Sequence, residues 1–320
     1  MKSLLGSIRR RALGLRPGEI SFVRRGFRGA TIERQARLES VAATFVHGYH
    51  AALVANAPED VTDELASVPA ELRGFAFEGA AMGLALLDRL TPWPATRLQR
   101  FLRGAGDAHV YMIHVGVGWV WARMPYGFRH ARRRLDPLLG WLAFDGWGFH
   151  DGFFHWAGFS ANRLPPSRLK GYERRVYDQG LGRSFWFSNG ANVQFIVRTI
   201  AAFAVTRQPD LWSGVGLAAT YAGGVGADEL TALREAAGAH HLQLAQGAAF
   251  AAKARQRAGN ATEHTDRAAA ILCRMSVEEA ARLCDTTLEN LPSNGPEPPY
   301  EIWRQRIQHH FQTKPQLQTT

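Results

Sequence analysis

Asp151 and His155 stand four apart in the stretch Phe144-Asp-Gly-Trp-Gly-Phe-His150-Asp151-Gly-Phe-Phe-His155. On a helix this spacing puts a carboxylate and an imidazole on one face, where the carboxylate can orient the ring as a general base. His150 adjoins the pair. His47 and His50, three apart, form a matching pair nearer the N-terminus. Two helices giving two ligands each is how bundle metal sites are built, so His47, His50, Asp151 and His155 form a candidate metal set. The Glu-x-x-His repeats of di-iron bundles are absent. Satisfied core or interface histidines are the plainer reading.

Glu78 lies between Phe77 and Gly79 in an apolar run. A carboxylate there must be paired, or its pKa rises until it is neutral. Helix-to-helix hydrogen bonding and acid–base chemistry both fit it. Asp178 and Arg183 bracket Asp178-Gln-Gly-Leu-Gly-Arg183, where a glycine before arginine can present the guanidinium to a carboxylate or phosphate. His114 opens His114-Val-Gly-Val-Gly-Trp119. The counterpart Trp212-Ser-Gly-Val-Gly-Leu217 has tryptophan at that place, so a symmetric packing role does not require the histidine. Glu78, His114, His150, Asp151, His155, Asp178 and Arg183 are therefore the candidate catalytic residues. No P-loop, Gly-x-Ser-x-Gly elbow, Rossmann fingerprint or aspartate-rich Mg²⁺ motif is present, and the sequence names no cofactor.

These residues need helices to hold them. Ala108 to Arg123 is apolar on all sides apart from His109 and His114, which marks a buried helix, and Pro125 closes it. Glu33–Asn56, Asp63–Arg89, Asp228–Arg257, Thr262–Leu272, Ser276–Leu291 and Tyr300–Phe311 also read as helices, with Asp228 as an N-cap and Ser276-Val-Glu-Glu279 as a capping box. Thr91-Pro-Trp-Pro94 is a break, and the Gln/Thr tail is frayed. No strand alternation of any length appears. The expected class is all-α.

The glycine words recur. Phe45-Val-His-Gly48-Tyr49 aligns with Phe149-His-Asp-Gly152-Phe153, Glu78-Gly79 with Gln179-Gly180, and Gly116-Val-Gly118 with Gly214-Val-Gly216. The order points to an internal duplication, echoed a third time at Ala245-Gln-Gly247-Ala-Ala-Phe250. The expected organisation is a basic leader (1–33) and a duplicated core (34–291). Its halves are 34–128 and 135–225, followed by further helices over 228–291. A linker, helix and tail fill 292–320. Gly79 and Gly83, and likewise Gly148 and Gly152, make smooth patches on their helices. Close packing between the halves explains such patches, and so does a groove wall for a thin apolar ligand.

The chain has 320 residues, 46% hydrophobic and 21% charged, which is globular composition. Nine tryptophans and 18 phenylalanines supply a core or a lipophilic pocket. The net charge of +10 gathers in Arg9-Arg10-Arg11, Arg24-Arg25-Arg28 and Arg129 to Arg134. Without interleaved aromatics or a nucleic-acid motif, these clusters read as solvated surface, or as a docking face for an anionic membrane or an acidic carrier protein. The longest uncharged apolar run, Ala108 to Ala122, has 15 residues, against the roughly 20 of a membrane span. Two cysteines give no disulfide framework. A cytoplasmic protein is expected, with peripheral membrane contact through the basic, amphipathic N-terminus.

Four runs together resemble one family: His114-Val-Gly-Val-Gly-Trp-Val-Trp-Ala-Arg123, Gly146-Trp-Gly-Phe-His-Asp-Gly-Phe-Phe-His155, Tyr177-Asp-Gln-Gly-Leu-Gly-Arg-Ser184 and Asp210-Leu-Trp-Ser-Gly-Val-Gly-Leu-Ala-Ala-Thr-Tyr-Ala-Gly-Gly224. The chain is similar, over residues 20 to 310, to the UnbL-type enediyne biosynthesis proteins, the domain-of-unknown-function 1702 family. The resemblance implies an accessory role in bacterial polyketide biosynthesis, processing the polyene of an iterative synthase. It carries over no catalytic residue. It implies a long apolar intermediate as ligand and the synthase or an acidic carrier protein as partner. A tailoring enzyme and a non-catalytic scaffold both remain open.

Overall fold

The computed structural model describes residues 4–91, 96–156, 164–292 and 295–313, and every regular element among them is helical. Pro92, Trp93 and Pro94 of the expected break, and the tail from 314, lie outside the described residues. The principal helices are α1 (Leu4–Leu13), α2 (Ile32–Val54), α3 (Ala70–Leu90), α4 (Val110–Arg123), α5 (Leu142–Phe154), α6 (Tyr172–Ser188), α7 (Gln208–Ala222), α8 (His241–Arg257), α9 (Val277–Thr286) and α10 (Pro299–Thr313). Among the described residues no helix is long and apolar enough to cross a membrane.

Positions i and i+2 on a helix point about 200° apart, so Gly-x-Gly clears two opposite sides at once. Such a helix fits between two neighbours in a row, and α2 to α9 form that row, each packed mainly on the next. Gly116 of α4 lies against the backbone of Glu78 on α3, and Gly118 against that of Ala143 on α5. Gly146 faces back to Val115 while Gly148 faces forward to Tyr177. Gly180 and Gly182 meet Asp145 and Leu211, and Gly214 and Gly216 meet Gln179 and Leu244. At each place a Cβ would fall inside the van der Waals shell of a neighbouring carbonyl. Each mid-helix glycine costs about 1 kcal/mol against alanine, which close backbone packing must offset.

The expected patches form, with different partners. Gly79 and Gly83 both pack on α2, and Gly148 and Gly152 both pack on α6. Each patch is therefore covered by its neighbour in the row, not by the other half, and none is a free groove wall. The crossing glycines Gly79, Gly116, Gly146, Gly180, Gly214 and Gly247 recur every 30–37 residues, one helix per step. The distances between the aligned words, 101 from Gly79 to Gly180 and 98 from Gly116 to Gly214, equal three such steps.

Two expected helices are broken. Asp63–Arg89 divides into Pro58–Ala66 and α3, because Pro69 fixes an extended turn before Ala70. Asp228–Arg257 divides into Ala227–Ala236 and α8, with Gly238 at φ +50 turning the chain between them. Gly226, not Asp228, is the N-cap of the first piece.

The row curls until the start of α3 meets the ends of α7 and α8. The Arg255 guanidinium donates to the Glu71 carbonyl at 2.6 Å and to the Tyr221 carbonyl, and Asn260 Nδ2 donates to the Ala70 carbonyl at 3.0 Å. Two segments cover the curl. Residues 14–31 cross as a strap: Leu15 N donates to His50 Nε2 (3.1 Å), Arg28 N to the Ser188 carbonyl (3.1 Å), and Phe27 meets Phe153 edge-on. Helix α10 covers another part, with Trp303 against Phe250 and donating to the Cys284 carbonyl at 2.9 Å.

Candidate functional site

The residue before each crossing glycine is polar on five of the six helices: Glu78, Asp145, Gln179, Ser213 and Gln246, all buried. Four of them bond in pairs. Gln179 Nε2 donates to Asp145 Oδ2 at 2.8 Å, and Ser213 Oγ to Gln246 Oε1 at 2.9 Å. Arg183, one turn beyond Gln179, donates through Nη1 to Asp145 Oδ1 and holds Nη2 4.0 Å from Glu78 Oε1. Its guanidinium also sits 4.9 Å from the centre of the Phe149 ring.

Trp119 Nε1 donates to Glu78 Oε1 at 3.1 Å. Burial still pushes the Glu78 carboxyl up to about 7, against the pull of Arg183 and of that hydrogen bond. Burial also works against the Arg183 charge, but Asp145 and Glu78 outweigh it and raise its pKa. Arg183 Nε is buried without a hydrogen-bond partner among the described residues. Such a donor costs about 1–3 kcal/mol if nothing meets it.

Arg183 separates two small apolar cavities. One, of about 30 Å³, is lined by Phe45, Trp119, Phe149, Phe153 and Phe187, with Glu78 and Arg183 as polar groups and Leu15 and Ile20 of the strap over it. The other, also about 30 Å³, is lined by Met112, Leu217, Tyr221, Phe250 and Trp303 and reaches Arg183 from α10's side. Each has room for a water or two, not for a long molecule. A larger ligand has to lift the strap or shift α10.

The other expected residues fall elsewhere. His150 and Asp151 are buried beside Trp119, with His150 Nδ1 3.1 Å from Asp151 Oδ1 and Tyr177 OH donating to Asp151 Oδ2 at 3.0 Å. Arg123 Nε donates to His150 Nε2 at 3.4 Å, which places the ring proton on Nδ1, toward Asp151. Burial lowers the His150 pKa and keeps the ring neutral. His155 caps α5 instead of continuing it, so the i, i+4 pair is loose: its Nδ1 is 3.8 Å from Asp151 and half its side chain is exposed. His150, Asp151 and His155 are, among the described residues, the one set of such groups close enough to share an ion. His47 and His50 are not part of it, because Nε2 of His50 is taken by Leu15 N and His47 lies near Glu64. The expected four-ligand set does not assemble. His150 offers an ion little, since its lone pair faces a guanidinium.

Asp178 is clamped by Arg207, whose Nε donates to Oδ2 at 2.8 Å, so it serves an ion pair between α6 and the start of α7. Burial, the larger effect, pushes it up to about 6 against that pairing. His114 donates from Nδ1 to the Val110 carbonyl at 2.8 Å, and burial lowers its pKa. It lines neither interior cavity. Of the seven candidates, only Glu78 and Arg183 line the aromatic cavity.

A family model described as a protein of unknown function, DUF1702, matches residues 4–311. The chain belongs to the DUF1702 family. No curated protein matches the chain, and no solved structure does. The DUF1702 match takes in the strap, the whole helical row and all but the last two residues of α10. The interior therefore belongs to the family region, and Asp145, Gln179, Trp119 and Tyr221 join Glu78 and Arg183 within it. Sequence reasoning passed over Asp145 and saw Gln179 only as a repeat-mate. The signal for both was the polar residue before each crossing glycine.

Proposed function

We propose that this chain binds a long apolar molecule in its interior and transfers a proton to or from it. In the setting implied by the resemblance, the molecule is a conjugated polyene of bacterial, enediyne-type polyketide biosynthesis, and the chain is a tailoring enzyme. The observation that carries the reading is Glu78: a buried carboxyl with its pKa near 7, among aromatic rings, beside Arg183. A group half-protonated at neutral pH is suited to give and take protons. Protonation of one end of a conjugated system by Glu78 leaves a delocalised cation. The faces of Trp119, Phe149 and Phe153 are suited to stabilise it. Arg183 and Trp119 then hold the carboxylate. Return of a proton from another carbon to Glu78 moves the double bonds and restores the acid, with no oxidant or reductant consumed.

Glu78→Gln keeps the shape and removes the proton. The variant should bind the linear fluorophore diphenylhexatriene as the wild type does, while polyene conversion in a reconstituted pathway falls by about 100-fold or more. Wild-type conversion by the variant would overturn the assignment and leave a non-catalytic holder of the polyene. The small size of the cavities is what favours that second reading.

The same substitution has a pH signature. The Glu78 carboxyl binds its proton more tightly folded (about 7) than unfolded (4.5). Its contribution is thus fully present below 4.5 and is lost as pH rises through about 7. The loss amounts to about 3 kcal/mol. Urea denaturation at pH 5 and pH 8.5 should show this fall in the wild type and a much smaller one in Glu78→Gln.

A further inference from the structure

Helix α1 turns an apolar stripe to solvent. Leu4, Leu5 and Ile8 are 81%, 54% and 55% exposed. At about 100° per residue, Leu4, Ile8, Ala12 and Leu5 span a sector of about 100°. Arg11, exposed, falls just outside one edge of that sector, and Arg9, half-buried with its Nη1 donating to the Ala55 carbonyl at 3.5 Å, falls just outside the other. Gly6 lies on the opposite side and is buried, where a Cβ would stand 2.9 Å from Cα of Val54. The glycine therefore fixes which face of α1 meets the body, and that choice leaves the aliphatic stripe outward. A helix with aliphatic residues along one face and arginines at both margins has the geometry that lies in the headgroup layer of a bilayer, its arginines reaching phosphates.

We infer that α1 is a reversible docking helix for an anionic lipid bilayer. The charge of Arg9, Arg10 and Arg11 selects anionic over zwitterionic lipid, and three aliphatic side chains on one short helix give weak, salt-sensitive attachment. The chain continues from α1 directly into the strap. Tyr49 OH donates to the Leu13 carbonyl at 2.8 Å, and Leu15 and Ile20 cover the aromatic cavity. Docking thus places the cavity's cover at the bilayer, where an apolar ligand is most concentrated. This last step rests on the function proposed above, whereas the docking itself does not.

The test uses the full chain and sedimentation with vesicles of phosphatidylcholine alone or mixed with phosphatidylglycerol. Wild-type protein should bind the mixed vesicles about tenfold or more better than the zwitterionic ones, and lose that advantage in about 0.5 M salt. Leu5→Gln with Ile8→Gln, and separately Arg10→Gln with Arg11→Gln, should each weaken binding about tenfold. Both pairs should leave the circular dichroism and the diphenylhexatriene binding of the soluble protein unchanged. Absence of vesicle binding, equal binding to both lipids, or wild-type binding by the aliphatic variant would overturn the inference. Diphenylhexatriene binding in solution reports on the interior alone, so its loss would count against the proposed function and not against docking.

Discussion

Gly180→Val is expected to destabilise the protein by about 4 kcal/mol or more, enough to leave much of it unfolded at 37 °C. Gly180 lies where α6 crosses α5. A Cβ there would stand 2.8 Å from Cα of Asp145 and closer still to its carbonyl. The obstacle is backbone and has no rotamer to change, so the two helices would have to move apart along their length. That movement also draws Asp145 away from Gln179 and Arg183, which adds the cost of poorly paired buried groups. Gly18→Ala is the control, with nothing within 4 Å of its Cβ. It should stay within about 0.5 kcal/mol of wild type. Urea denaturation of both variants checks the contrast, and equal midpoints would show that the crossing glycines are not needed for close approach.

Arg183→Met should cost about 3–5 kcal/mol, the range for stranding a buried charge by removing its partner. Asp145 loses the ion pair it makes with Nη1, and Glu78 loses the cation that draws its pKa down. With the guanidinium gone the Glu78 carboxyl moves up further, so less of it is ionised at neutral pH. The double variant Arg183→Met with Asp145→Asn removes both members of the pair and should recover at least about half of the loss. Without that recovery, the pairing of Arg183 with Asp145 would not be the source of the cost. The single variant should also lose polyene conversion, because a neutral Met cannot hold the carboxylate that proton donation creates.

Several features of this site were legible in the residues. Glu78 stood out as a carboxylate inside an apolar helix, and the structure keeps it buried with a raised pKa. Arg183 stood out beside glycines, and one of them, Gly180, lets its helix approach α5 closely enough for it to reach Asp145. The His150–Asp151–His155 cluster also formed, but around Arg123 and Tyr177, whose hydrogen bonds use its polar atoms. No spacing rule could supply those partners, since Arg123 lies on the preceding helix and Tyr177 on the next. Asp178, a candidate from the same segment as Arg183, is instead clamped by Arg207, 29 residues away.

The sequence by itself determined the helical class and the sidedness of each helix. Both follow from local physics: apolar runs without alternation make helices, and Gly-x-Gly clears two opposite faces whatever the neighbours are. The polar residue before each crossing glycine was equally fixed to one side. What only the tertiary structure decided was which helix filled each cleared face, and that the row curls. Packing of α6 on its neighbour α5 brings Arg183 to Asp145, 38 residues away, and the curl sets Glu78 of α3 beside them. The reason is that periodicity fixes directions around one helix axis, while the meeting of distant side chains depends on crossing angles summed over the whole row.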